Sequence, residues 1–247
     1  MRYAVLASGS KANCAVIDHA DRLLLIDCGL GPVLLKNRLA SLGLEGRKVD
    51  TVIMTHMHGD HISAPAIKRL ACPVWCHAGH RDAMPECDAR EYQTEVPFQP
   101  LDGMTVTPIR LMHDSPETHG FRVDIGNSSI GHVADTGAWT KRMTRLLAGV
   151  DIMAIEANHD VDMQIRSERP AILIERNLSH HGHLSNDQCK AFLEHLTGRD
   201  RKPKHTILLH MSHSCNDAEL ARSMVNQVVE QSTVAMQDQP TQWFEIS

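Results

Sequence analysis

Four side chains able to bind a metal ion fall within the stretch Thr55-His56-Met57-His58-Gly59-Asp60-His61. Three imidazoles and a carboxylate form a borderline-soft donor set, suited first to zinc and next to manganese or iron. One catalytic zinc takes three protein ligands and keeps a position open, so a cluster of four points to two ions. A solvated His-rich loop is the competing reading, in a chain with 17 histidines. The preceding run Val52-Ile53-Met54 argues against it, because that run reads as a buried strand. Gly59 and the lack of a helical period then indicate a tight loop, which can aim alternate side chains at one centre.

The remaining ligands of such a site should stand at other strand ends, where loops emerge on one rim. His113 follows the apolar strand ending at Leu111, Asp135 follows Ile130–Val133, and His210 follows Thr206–Leu209. The elements that must place them read as follows. Strands are expected at 3–7, at 14–17 and 23–26 as a hairpin, and at 49–54. Helices are expected over 31–42, with Pro32 in the first turn, and from a Ser63 cap to Leu70. A strand at 73–76 and a helical piece at 78–84 come next, and residues 85–103 read as irregular connection. Strands at 105–111, 120–125 and 129–133 resume, the last two joined by Gly126-Asn127, a hairpin signal. A helix near 140–147, a strand at 151–156, and a helical stretch at 168–176 lead to a helix that Ser185-Asn186-Asp187 caps. The strand 206–209 and a helix over 217–231 close the pattern. With no linker and no repeat, the reading is one α/β domain over residues 1–247.

Composition narrows the class. The chain has 42% hydrophobic and 22% charged residues, values of a globular protein with a sizeable core. Its longest apolar runs, such as Leu23-Leu24-Leu25-Ile26, are too short to span a membrane, and no signal-peptide pattern precedes the first strand. Seven scattered cysteines without a CxxC pair fit reduced thiols and a cytoplasmic location. A net charge of −5 gives no global reason to bind nucleic acid, so a polyanion would be held locally.

Taken together, T-H-x-H-x-D-H, a lone His, Asp-Thr-Gly and a late His resemble the metallo-β-lactamase fold. The resemblance spans essentially the whole chain, and Asp27 in Ile-Asp-Cys-Gly matches that superfamily's early structural Asp. Leu6–Asn13, Glu156-Ala-Asn-His-Asp160, Gly182-His-Leu-Ser-Asn186 and Leu209-His-Met-Ser212 are similar to the YycJ/WalJ subgroup, which is exonuclease-like and related to ribonuclease Z. This resemblance implies a four-layer αββα sandwich of two mixed sheets flanked by helices. It assigns His56, His58 and His113 to a first divalent ion and Asp60, His61 and His210 to a second, with Asp135 bridging. It also implies that His183 is no ligand but a proton donor or phosphate contact, so Asp60 and His183 are the catalytic candidates. The expected chemistry is attack by a metal-bridging hydroxide, with His183 protonating the leaving oxygen of a phosphodiester.

The substrate that the resemblance implies is nucleic acid, with 5′ ends of double-stranded DNA suggested, or else a nucleotide. A cyclic-nucleotide phosphodiesterase, a thioester or lactone hydrolase on the same metals, and a non-catalytic metal-binding regulator are the competing readings. Substrate contacts are assigned to Ser10 and Asn13 in the first loop, and to His159 and Asn216. Asn216 is the one match in a stretch, His213-Ser-Cys-Asn216, that departs from the subgroup's Glu-Asn-Asn-like continuation. Cys215 reads as a free thiol, and Arg199, Arg201, Lys202 and Lys204 as a basic loop of solvated charges, with a nucleic-acid contact as the alternative. No membrane and no obligate protein partner are inferred, and a homo-oligomer is compatible with the sequence.

Overall fold

The computed structural model describes residues 1–198 and 201–246. Its first strands, β1 (Arg2–Ala7), β2 (Cys14–His19) and β3 (Arg22–Ile26), pair antiparallel, the second turn closing through Ala20 and Asp21 in the left-handed region. The helix α1 (Pro32–Ser41) carries its proline in the first turn, where the missing N–H costs no intrahelical bond. Then come β4 (Thr51–Ile53), α2 (Ala64–Leu70), β5 (Val74–His77), a 3-10 turn (Ala78–Ala83) and β6 (Ala89–Tyr92). The strands β7 (Phe98–Leu101), β8 (Met104–Arg110), β9 (His119–Ile125) and β10 (Ser128–Val133) precede α3 (Lys141–Leu146) and β11 (Ile152–Glu156). Helices α4 (Val161–Ile165), α5 (Ala171–Leu178) and α6 (Asn186–Thr197) lead to β12 (His205–Leu209) and α7 (Ala218–Val225). Two short strands, β13 (Ser232–Val234) and β14 (Phe244–Glu245), end the chain.

Two mixed sheets of seven strands result, ordered β14-β1-β2-β3-β4-β5-β6 and β13-β12-β11-β10-β9-β8-β7, as the α/β reading expects. Strands β3 to β6 run parallel, and so do β10 to β13. Parallel strands are covered on both faces and therefore read as unbroken apolar runs. Leu23–Ile26 and Ile152–Ile155 are such runs, and every residue in them is inaccessible to solvent. Loops at the carboxyl ends of parallel strands are where open α/β sheets bind ligands.

The described chain divides into two compact units. The first comprises Met1–Pro108, Val123–Ser128 and the segment from Ala235 onward, and its core gathers Leu6, Val16, Leu25, Val52, Leu39 and Ile67. The second comprises Ile109–Arg122 and Ser129–Val234, with Val133, Ile155, Phe192, Leu193 and Leu208 at its centre. All seven cysteines are free thiols, buried except for the half-buried Cys87.

The structure corrects several elements. Residues 85–103 are not irregular throughout, because β6 and β7 form there. Residues 161–165 are helical, with Asp160 accepting from the Met163 N–H as cap. The helix expected to reach residue 231 stops at Val225. Ser63 does precede α2, but its hydroxyl makes no capping bond and only its carbonyl receives the Ile67 N–H. In the basic loop Arg201 and Lys204 pair with the buried Asp151 at 3.0 and 3.3 Å, and Lys202 donates to the Val228 carbonyl. Two of these cations therefore neutralise an internal carboxylate, and Arg199 lies outside the described residues. No helix among the described residues is long and apolar enough to cross a membrane.

Candidate metal centre

In the first unit the loop after β4 turns tightly, His61 N–H donating to the His58 carbonyl at 2.9 Å. The His56 ring centre lies 4.6 Å from that of His58 and 4.1 Å from that of His61. His61 Nε2 stands 3.5 Å from Asp60 Oδ2. A carboxylate one strand away organises the group. Asp27, at the end of β3, is 1% exposed and accepts the Thr55 N–H and the Thr55 hydroxyl, both at 2.8 Å, and His61 Nδ1 at 2.7 Å.

These bonds settle proton positions. A carboxylate only accepts, so His61 carries its proton on Nδ1 and turns a lone pair outward on Nε2. The Thr55 hydroxyl spends its proton on Asp27 and must accept from His56 Nδ1, 3.0 Å away, which leaves His56 Nε2 as an electron-pair donor too. Asn13, 5% exposed, accepts the Gly9 N–H, donates to the Gly9 carbonyl, and sets its amide 3.0 Å from both Asp60 Oδ2 and His61 Nε2. The Asp60 carbonyl accepts the Asn13 N–H at 2.7 Å. It also passes so close to Gly29 that a Cβ there would sit 1.9 Å from the oxygen, so that position admits only glycine. Ser10, next to Gly9, is exposed.

The second unit holds its own cluster, with donor atoms of Asp135, Glu156, His183 and His210 all within 4.8 Å of one another. Asp135 follows β10 and His210 follows β12, both in left-handed backbone at φ 56° and 53°. Asp27 shares that conformation at φ 60°. Such backbone costs about 1–3 kcal/mol in a non-glycine residue and is retained where a side chain must be aimed. Asp135 Oδ1 lies 3.4 Å from His210 Nε2, 3.4 Å from His183 Nδ1 and 4.0 Å from His113 Nε2. His113 Nδ1 stands 3.0 Å from the Gly182 carbonyl, which only accepts, so its Nε2 again bears the lone pair. Burial lowers the His113 pKa and favours this neutral form, against the opposing pull of Asp135.

Glu156 is the residue to which the sequence assigned no role. It ends β11 with no solvent exposure and gathers four donors: the Thr136 N–H at 2.8 Å, the Leu184 N–H at 3.3 Å, His183 Nδ1 at 2.7 Å and His210 Nδ1 at 3.4 Å. Burial alone would raise its pKa. The charge of His183 and the bonds from His183 and His210 outweigh burial and hold it down to about 2. Asn158 Nδ2 also lies 3.2 Å from His210 Nδ1, but it donates its better bond, 2.7 Å, to the His210 carbonyl. The full charge of Glu156 therefore decides that His210 Nδ1 keeps the proton. The signal was legible in Ile152-Met-Ala-Ile-Glu156, an acid closing an otherwise apolar buried strand.

The other expected residues are placed plainly. His183 is 11% exposed in its side chain and stacks on His210 with ring centres 5.1 Å apart. His159 is buried, its backbone bridging to Ser185. Asn216 is buried and exchanges amide bonds with Asn186 at 2.8 and 2.9 Å while donating to the Ala157 carbonyl. Cys215 is a buried free thiol.

Comparison with known proteins adds the following. The family model described as "Beta-lactamase superfamily domain" matches residues 22–211. The exodeoxyribonuclease YycJ of Bacillus anthracis is 28% identical over 240 residues, covering 94% of this chain and 90% of that protein. The exodeoxyribonuclease WalJ of Streptococcus pneumoniae is 28% identical over 241 residues, covering 93% of this chain and 88% of its own. The solved metallo-β-lactamase fold protein YhfI from Bacillus subtilis superposes with a TM-score of 0.73 at 16% identity, covering 99% of each chain.

Proposed function

Because the chain belongs to the β-lactamase superfamily and is a metal-dependent hydrolase of that fold, we propose that it is a dinuclear phosphodiesterase acting on nucleic acid, in the manner of a DNA exonuclease. The observation that carries this reading is the Glu156–His183 pair, an imidazole oriented by a buried carboxylate yet left partly open to solvent. A metal-dependent ester or lactone hydrolase does not require such a group, whereas a phosphodiester leaving group gains from an acid. The two relatives named exodeoxyribonuclease support the choice of substrate.

On this reading His56, His58 and His113 hold one divalent ion and Asp60, His61 and His210 the other, with Asp135 shared. The donor set fits. Four of these histidines have their Nδ1 proton committed to an acceptor, which leaves Nε2 for coordination. The nitrogen and carboxylate donors favour zinc, with manganese or iron next. When bound, such ions supply Lewis acidity toward a phosphoryl oxygen and lower the pKa of a coordinated water.

The protein's own groups do the rest. Glu156 stays ionised through neutral pH and stabilises a proton on His183 Nδ1. The Nε2 proton of that imidazolium is the one donated to the leaving oxygen, and the ring regains it from solvent after each turnover. Asn13 keeps Asp60 and His61 in register. The test is a substrate panel for the metal-loaded protein: labelled duplex DNA, single-stranded DNA, RNA, cyclic nucleotides and a lactone. Shortening of duplex DNA from its ends is expected, absent in an Asp60→Ala, His61→Ala control. Hydrolysis of the lactone alone would sink the phosphodiesterase reading, and hydrolysis of cyclic nucleotides alone would move it to small diesters.

A further inference from the structure

We propose that a pocket between α1 and α2, within the first unit, binds a small amphipathic anion with a medium-length acyl chain and one charged head. The cavity holds about 270 Å³ and is lined by Leu35 and Leu39 of α1, Leu44 and Val49 of the following loop, and Ala66 and Leu70 of α2. Leu35, Leu39, Leu44 and Val49 belong to the same buried core, so the floor of the pocket is the apolar outer edge of that core. Four cations stand round it: Lys36, Arg47, Lys48 and Arg69, and no carboxylate lines it.

Charge and size together define the occupant. Arg47 is committed to Asp18 at 3.3 Å, but Lys36, Lys48 and Arg69 form no ion pair among the described residues. Three uncompensated cations over an apolar floor favour a ligand that is anionic at one end and apolar at the other. At about 270 Å³ the cavity falls just below the range of drug-sized ligand pockets, which restricts it to a small ligand. Octanoate has that size and that polarity. Neither the metal-ligand candidates nor Glu156 and His183 line this pocket, so occupancy can be read without measuring catalysis.

The test is methyl-resolved NMR of the full chain titrated with octanoate, octanol and acetate, below micelle-forming concentrations. Saturable shifts of the Leu35, Leu39, Leu44, Val49 and Leu70 methyls are expected with octanoate, with affinity at least tenfold above that for octanol or acetate. The Lys48→Glu, Arg69→Glu double variant alters exposed positions and should keep its spectrum while losing at least tenfold in octanoate affinity. Equal binding of octanol, octanoate shifts confined to other methyls, no shifts at all, or an unchanged affinity in the double variant would each overturn the proposal.

Discussion

A histidine offers Nε2 to a metal only while Nδ1 keeps its proton, and the acceptors behind these imidazoles enforce that tautomer one by one. Asp27 does so for His61, Thr55 for His56, the Gly182 carbonyl for His113 and Glu156 for His210. The ligand candidates were legible in the sequence because His and Asp beyond a strand are visible without knowing what lies behind them. The acceptors were mostly not, since a Thr hydroxyl, a main-chain carbonyl and an acid inside a strand acquire their role only through folding. On the proposed mechanism, His183→Ala should keep its metal complement by elemental analysis and lose about 10²-fold or more in turnover. Loss of metal in that variant would instead make His183 a ligand. Glu156→Gln should also slow turnover with its metal complement intact, because the carboxylate that orients the His183 ring through its Nδ1 at 2.7 Å is lost. Unchanged turnover in that variant would remove Glu156 from that role. His159 bears on stability. Burial, against the pull of Glu156, holds its pKa at about 4 instead of 6.5. The unfolded chain therefore takes up a proton that the folded chain refuses, so stability falls as the pH drops from about 6.5 to about 4 and this contribution levels off below. The full span is worth about 3 kcal/mol. Urea midpoints across that range should fall less steeply in His159→Asn, and an equal slope would count against this assignment.

At the scale of elements, the strands that sequence pattern missed share one position: β6, β7, β13 and β14 are the four sheet edges. Interior strands carry unbroken apolar runs because they are covered on both faces. Edge strands are short and carry polar groups or proline, which deter pairing with other chains. Ala89-Arg-Glu-Tyr92 and Phe98-Gln-Pro-Leu101 follow that rule, so an apolar-run criterion passes over them. Helix starts were easier to read where a side chain caps them. Ser185 accepts the Gln188 N–H, and the Gln188 side chain accepts the Ser185 N–H in return, a reciprocal box at the start of α6. His183 stands two residues ahead of this box, and Gly182 is pressed so closely against the Arg176 carbonyl that a Cβ would lie 2.2 Å from it. Ser185→Ala should cost about 1 kcal/mol, a loss of about 2–4 °C in Tm by calorimetry. Turnover should fall with it and recover in Ser185→Thr; a loss of Tm with turnover intact would show that the cap does not position His183.

At the scale of the whole molecule, the proposed function requires a net charge of −5 to coexist with a polyanionic substrate. The basic loop helps little, since Asp151 consumes Arg201 and Lys204. Bound cations then carry most of the attraction for phosphate, and their removal has two consequences. Ligands bound only by the folded chain add to its stability by mass action. Exhaustive chelation should therefore lower Tm and abolish turnover together, and zinc should restore both where magnesium, which prefers oxygen donors, does not. Retention of full activity after verified metal removal would refute the dinuclear reading. The sulfur inventory has a practical corollary. Burial raises the thiol pKa of Cys28 to about 12 and those of Cys72 and Cys76 to about 11, which suppresses their thiolates as well as their access. Cys87 alone is half-buried. Iodoacetamide should thus add one adduct to the native protein and seven after denaturation. That difference makes the chain its own mass-spectrometric gauge of unfolding, with a built-in attachment point for a single fluorophore.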